Sequence, residues 1–121
     1  MVTKGDITEI KSLSNPPQLV KNILVATMAL LGVPNVEDYR YVKRALGDYT
    51  LLQNMSNIDI DSVSQETALK ARQIVDGITE AEICKVSKAT VSFLKWVNHV
   101  IAEVEKRTGD LSVATKQEPT A

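Results

Sequence analysis

The chain has 121 residues, of which 44% are hydrophobic and only 4% aromatic; this predicts one domain with its own core and favours helices over a strand-rich sandwich. The formal net charge of −1 excludes the global basic field that is typical of nucleic-acid binding. A single cysteine, Cys84, and a single histidine, His99, exclude an internal disulfide and an ordinary His/Cys metal site. We therefore expect no metal, no cofactor and a reducing compartment.

No segment resembles a membrane span or a secretory signal. The longest nearly apolar stretch, residues 23–33, falls short of the ~20 residues that a membrane-spanning helix needs. Residues 1–15 contain several charges and no continuous apolar block, so a signal peptide is not expected. The sequence predicts a soluble protein without a membrane partner.

The first two predicted helices lie on either side of a proline pair. Residues 6–13 carry one apolar seam and end before Pro16 and Pro17. Residues 18–31 are apolar around most of the helix, which predicts a central core helix with Asn15 as its N-cap and Gly32 as its stop. Lys21 is the only charged residue of this second helix.

The middle of the chain predicts short helices separated by polar turns. Residues 36–49 read as a helix with a basic side, and residues 51–55 add one more helical turn before an acidic loop over residues 56–62. Ser62 with Gln65 predicts a capping box for a helix that ends near residue 75. Thr79 with Glu82 predicts a second capping box.

The last predicted helix has the strongest periodicity. Its apolar seam follows spacings of three and four, and consists of Ile83, Val86, Thr90, Phe93, Val97, Val100 and Val104. Such a seam requires a second helix to cover it. The residues after Gly109 are polar, which predicts disorder. We expect an all-α bundle of about six helices at the tip of an antiparallel coiled-coil hairpin. Residues 1–15 would be the incoming stub, 16–101 the globule, and 102–121 the outgoing stub and tail.

Five segments in this order resemble the microtubule-binding domain at the stalk tip of dynein heavy chains. They are residues 10–32, with the proline pair and a final Leu-Leu-Gly, and residues 43–48, 57–59, 85–89 and 95–97. The resemblance implies a helical module that binds microtubules, that is, α/β-tubulin, in the cytoplasm or in a ciliary or flagellar axoneme. It also implies control of affinity by sliding of the two stalk helices, with ATP hydrolysed in a distant motor ring. The resemblance does not distinguish a cytoplasmic dynein from an axonemal dynein.

The candidate microtubule-binding residues are basic, because tubulin is strongly acidic. The family places basic contacts on its first globular helix and at the start of its last one, and Lys21 and Lys85 match these positions. No acid occurs between Glu82 and Glu103. The full predicted set is Lys21, Arg40, Lys43, Arg44, Lys85 and Lys88.

Two other functions compete with this interpretation. A non-motor helical adaptor could dock a partner helix on the heptad-like seam. A thiol enzyme would need a base for Cys84, and His99 is fifteen residues away on what reads as nearly one helix, about 22 Å at 1.5 Å per residue. We therefore expect no catalytic residues and a non-enzymatic domain. The resemblance implies that this domain is monomeric in isolation and belongs to a larger heavy chain.

Overall fold

The computed structural model describes residues 2–13 and 15–108, and these residues form helices without a strand. The predicted all-α class is confirmed. The predicted disordered tail lies outside the described residues. Within them, the elements are α1 (Lys4–Lys11), α2 (Gln18–Leu30), α3 (Tyr39–Leu46), α4 (Leu51–Ser56), a 3-10 turn (Ile60–Ser62), α5 (Gln65–Val75), α6 (Glu80–Val86) and α7 (Lys88–Thr108).

Helix α2 is the central core helix, as predicted. It packs against α3, α5, α6 and α7. Its fully buried side chains include those of Val20, Ile23, Leu24 and Met28. Gly32 then adopts a φ of +85°, a left-handed conformation that glycine reaches without strain, and the helix ends there.

Two predicted helix caps are wrong. Pro17, not Asn15, precedes α2, and it makes no side-chain cap hydrogen bond, because the proline pair keeps the chain extended up to the first helical residue. Ser64, not Ser62, caps α5 by accepting a hydrogen bond from the Thr67 amide. Ser62 belongs to the preceding 3-10 turn, where its hydroxyl donates to the Asp59 carbonyl oxygen.

The predicted cap of Thr79 and Glu82 is confirmed. The Thr79 hydroxyl accepts from the Glu82 amide at 3.1 Å, and the Glu82 carboxylate accepts from the Thr79 amide at 3.2 Å. This reciprocal pair satisfies two amides at the start of α6 that would otherwise lack a helical partner.

The predicted seam is shared by two helices rather than one. Ser87 has an extended backbone, with φ −161° and ψ 113°, and it separates α6 from α7. With this division the described residues form seven α-helices, in agreement with the expected bundle of about six. Six of the seven seam residues are buried, namely Ile83, Thr90, Phe93, Val97, Val100 and Val104. Val86 is the exception, with 44% of its surface exposed.

Ser87 holds this break in place. It is buried, and its hydroxyl oxygen accepts hydrogen bonds from the Thr90 amide at 3.3 Å and from the Thr90 hydroxyl at 2.9 Å. Ser87 therefore acts as the N-cap of α7.

Replacing Ser87 by alanine is expected to lower the free energy of unfolding by about 1–3 kcal/mol, because the α7 cap is lost and the buried Thr90 hydroxyl loses its acceptor. Urea unfolding measures this loss. Ser12→Ala, at an exposed hydroxyl next to α1, is the control and should change stability by less than about 0.5 kcal/mol. Equal losses in the two variants would contradict the capping role of Ser87.

The two ends of the described chain meet on one side of the bundle. Helix α1 packs against α7, and Ile10 of α1 is buried there with only 2% of its surface exposed. Near the end of α7, Arg107 pairs with Asp61 of the 3-10 turn, and Glu105 lies 2.9 Å from Arg72 of α5. The Asp61 carboxylate raises the pKa of the Arg107 guanidinium. The boundaries predicted at residues 15 and 101 stay predictions, and α7 passes residue 101 without a break.

Candidate protein-docking surface

Helix α3 turns its basic residues to solvent because its apolar residues face the core. Val42 and Leu46 are buried, whereas Lys43 and Arg44 are exposed. The Arg44 guanidinium carbon lies 5.5 Å from the centroid of the Tyr41 ring, a distance typical of a cation–π contact. Neither Lys43 nor Arg44 forms an ion pair with any described residue. Both charges are available to a partner.

Arg40 is exposed but its charge is matched locally. Its guanidinium nitrogen lies 2.7 Å from the Asp38 carboxylate, and the Asp38 side chain also accepts from the Arg40 amide as the N-cap of α3. These hydrogen bonds hold the pKa of the Asp38 carboxyl below its ordinary value. Arg40 therefore serves the start of α3, and it offers a partner less free charge than Lys43 or Arg44 does.

The fold brings Lys21 of α2 to the start of α3. The Lys21 ammonium lies 5.3 Å from the centroid of the Tyr39 ring. Tyr39 is half-buried, and burial raises the pKa of its phenol. Lys21, the only charged residue of α2, is half-buried and packs its ammonium group against this ring.

Lys85 and Lys88 stand on either side of the break at Ser87. Lys85 belongs to the last turn of α6 and Lys88 begins α7. Both are exposed, and neither has an ion-pair partner within the described ranges. We call this segment, residues 84–88, the α6–α7 corner. Helix α2 contacts both α3 and α6.

Three other basic residues are matched by acids elsewhere in the fold. Lys70 lies 3.8 Å from Glu37, and Lys95 lies 4.0 Å from Glu80. Arg72 pairs with Glu105. Helical spacing alone would pair Lys70 with Glu66 and Arg72 with Asp76, but in the structure Glu37 and Glu105 are the partners. The charges of Lys70, Arg72 and Lys95 are therefore matched within the fold, as the charge of Arg40 is.

Trp96 is half-buried and links two helices. Its indole nitrogen donates a hydrogen bond of 3.1 Å to the Met55 carbonyl oxygen at the end of α4. Two shallow cavities of about 310 and 250 Å³ adjoin its ring, and His99 lines both. This hydrogen bond joins residues that are far apart in the chain, so it could not be read from the sequence.

Cys84 and His99 lie on different helices. Cys84 is exposed on α6 and His99 is exposed on α7, so the assumption that one helix carries both is wrong. Across residues 2–13 and 15–108, no group of three or more His, Cys, Asp or Glu side chains is arranged to hold a metal. In the same ranges, no helix combines the length and the apolar character needed to cross a bilayer.

Comparisons with known proteins return dynein heavy chains. The chain is 28% identical to dynein axonemal heavy chain 10 of Homo sapiens over 100 residues, which cover 81% of the chain. It is 28% identical to dynein axonemal heavy chain 6 of Homo sapiens over 119 residues, or 92% of the chain. It is 33% identical to dynein axonemal heavy chain 2 of Homo sapiens over 98 residues, or 79% of the chain.

These matches cover very little of the relatives themselves. The chain spans 2%, 3% and 2% of the three heavy chains. No family model matches the chain, and no solved structure matches it significantly. Over most of its own length, the chain is a homologue of a short segment of dynein heavy chains.

Proposed function

We propose that this chain is the microtubule-binding domain of a dynein heavy chain, and that it docks through the surface formed by Lys21, Arg40, Lys43, Arg44, Lys85 and Lys88. The observation that carries the proposal is that four exposed cations on α3 and at the α6–α7 corner, Lys43, Arg44, Lys85 and Lys88, form no ion pair with the described residues, in a homologue of dynein heavy chains.

The charge pattern suits an acidic partner. The chain as a whole has a formal net charge of −1, so its overall charge does not attract it to acidic tubulin. A local group of unpaired cations attracts a negative surface and orients the approach, and salt screens this attraction. Binding through the surface should therefore be specific in orientation and sensitive to ionic strength.

Control of the docking surface would come from the two chain ends. Helix α1 packs against α7, and α7 begins at Lys88 inside the surface. In our proposal, the ends continue into a coiled-coil stalk, and relative sliding of its helices repositions the start of α7. ATP hydrolysis would take place in a motor ring elsewhere in the heavy chain, so this domain itself would be non-enzymatic. The axonemal relatives favour a place in the cytoskeleton of a cilium or flagellum.

The adaptor alternative receives less support. It requires a free seam for a partner helix, but Phe93, Val97 and Val100 have no exposed surface. Helix α7 already packs against α1, α2, α5 and α6. A partner helix would have to displace part of this core.

Cys84 provides a direct test of the proposed surface. It is the only cysteine of the chain, it is exposed, and it adjoins Lys85. We expect saturating microtubules to slow its alkylation by a maleimide at least about fivefold, because the partner covers the α6–α7 corner. Mass spectrometry of the recovered chain measures the rate.

A second thiol serves as the matched control. In Cys84→Ser/Ser12→Cys, the thiol lies at an exposed position next to α1, and microtubules should leave its alkylation rate unchanged. Equal protection at both positions, or protection at neither while the chain is bound, would contradict docking through the corner.

A further inference from the structure

Val86 is exposed at a position where the sequence pattern predicts burial. It belongs to the seam with spacings of three and four, yet 44% of its surface is accessible, whereas Ile83 and Thr90 on either side along the seam have none exposed. Of the large hydrophobic side chains in the described ranges, Val86, Tyr41 and Tyr49 are the exposed ones. Val86 is the aliphatic member of this group.

The break at Ser87 produces this exposure. A continuous helix would place Val86 between Ile83 and Thr90 on the buried side. The extended backbone of Ser87 ends α6 directly after Val86, and the hydrogen bonds from Thr90 to the Ser87 hydroxyl fix the start of α7. The break at Ser87, which is buried and caps α7, therefore keeps the side chain of Val86 exposed.

The neighbours of Val86 indicate what it can bind. Lys85 precedes it and Lys88 follows two residues later, and both are exposed cations without ion pairs to the described residues. The exposed thiol of Cys84 adds a weakly polar group. An apolar side chain bordered by charge is the arrangement found at the centre of protein interfaces, where the apolar contact is dehydrated and the charges lie at the rim.

We propose that Val86 is an apolar anchor of the docking surface, and that it enters an apolar recess bordered by carboxylates on the microtubule. The proposal rests on the proposed function and adds a contact to it. Lys85 and Lys88 pair with the bordering carboxylates, which gives orientation and salt dependence. Val86 removes apolar area from water, and this contribution is insensitive to salt.

The salt dependence of microtubule binding distinguishes the apolar contribution of Val86 from the charge contribution of the lysines. Val86→Ser removes apolar contact area and should weaken microtubule binding about fivefold at both low and moderate salt. Lys88→Gln should weaken binding more at low salt than at moderate salt, because salt already screens the charge that it removes. Co-sedimentation of the chain with microtubules at two ionic strengths measures both.

Tyr49→Ser is the control for loss of exposed apolar surface. Tyr49 is 96% exposed at the turn before α4, outside the corner, and its replacement should leave affinity unchanged. Val86→Ile keeps an aliphatic side chain and should retain wild-type affinity within about twofold. Circular dichroism should show the same melting temperature for Val86→Ser and the wild type, since the side chain is exposed.

Two results would overturn the anchor. The first is that the wild type binds and Val86→Ser binds with the same affinity at both ionic strengths. The second is a loss in Val86→Ser that disappears at moderate salt. Background pelleting of the wild type at low salt, with its ends joined to a coiled coil in every register, would instead overturn the proposed function, and the anchor with it.

Discussion

Replacing Lys85 by glutamate is expected to weaken microtubule binding at least about tenfold, which corresponds to about 1.4 kcal/mol. The substitution removes a cation without an ion pair among the described residues and places a carboxylate against an acidic partner. Stability should change little, because Lys85 is exposed. Co-sedimentation at low salt measures the affinity.

Lys106→Glu is the matched control for Lys85→Glu. It makes the same change in net charge at an exposed residue near the end of α7, where Lys106 forms an ion pair of 3.2 Å with Glu103. Lys116→Glu, in the tail outside the described residues, should also have a much smaller effect than Lys85→Glu. Equal losses in Lys85→Glu and Lys106→Glu would mean that overall charge, rather than a docked surface, determines binding.

Replacing Phe93 by alanine is expected to lower the free energy of unfolding by about 3–5 kcal/mol. Phe93 is the largest fully buried side chain of the described residues, and it lies on α7 at the centre of the seam. Its truncation leaves a cavity among helices that pack on one another. A domain of this size has about 5–15 kcal/mol of stability, so the loss is a large fraction of the total. The melting temperature should therefore fall by more than about 10 °C.

Tyr49→Ala is the control for the loss of aromatic area at Phe93. Tyr49 is 96% exposed, so its truncation should change stability by less than about 0.5 kcal/mol. Thermal unfolding followed by circular dichroism compares the two variants. Similar melting temperatures for Phe93→Ala and the wild type would show that Phe93 of α7 does not lie in the core.

The sequence predicts most of the helices because their signals are local. The apolar periodicity of α2, the reciprocal cap of α6 and the left-handed stop at Gly32 each depend on residues within a few positions of one another. The break at Ser87 has no such local signal. A serine inside a periodic seam can continue a helix or cap a new one, and the choice depends on burial of Ser87 and Thr90 in the tertiary structure.

The docking surface can be predicted only in part from the sequence. The sequence gives the position of each cation, but the ion-pair partner of a cation depends on the tertiary structure. The unpaired state of Lys43, Arg44, Lys85 and Lys88 among the described residues becomes apparent once the neighbouring helices are in place. Spacing along one helix gives Lys70 and Arg72 the wrong partners, because Glu37 and Glu105 approach from elsewhere in the chain. The exposure of Val86 likewise could not be predicted from the sequence, because it follows from the break between α6 and α7.

The central claim is that this chain binds microtubules through a basic surface, and co-sedimentation of the wild-type chain across ionic strength tests it most directly. The ends of α1 and α7 should be joined to a coiled coil in each of its registers, because the proposal couples affinity to register. We predict saturable binding in at least one register, with an affinity that falls as salt increases. Background pelleting at low salt in every register would contradict the claim.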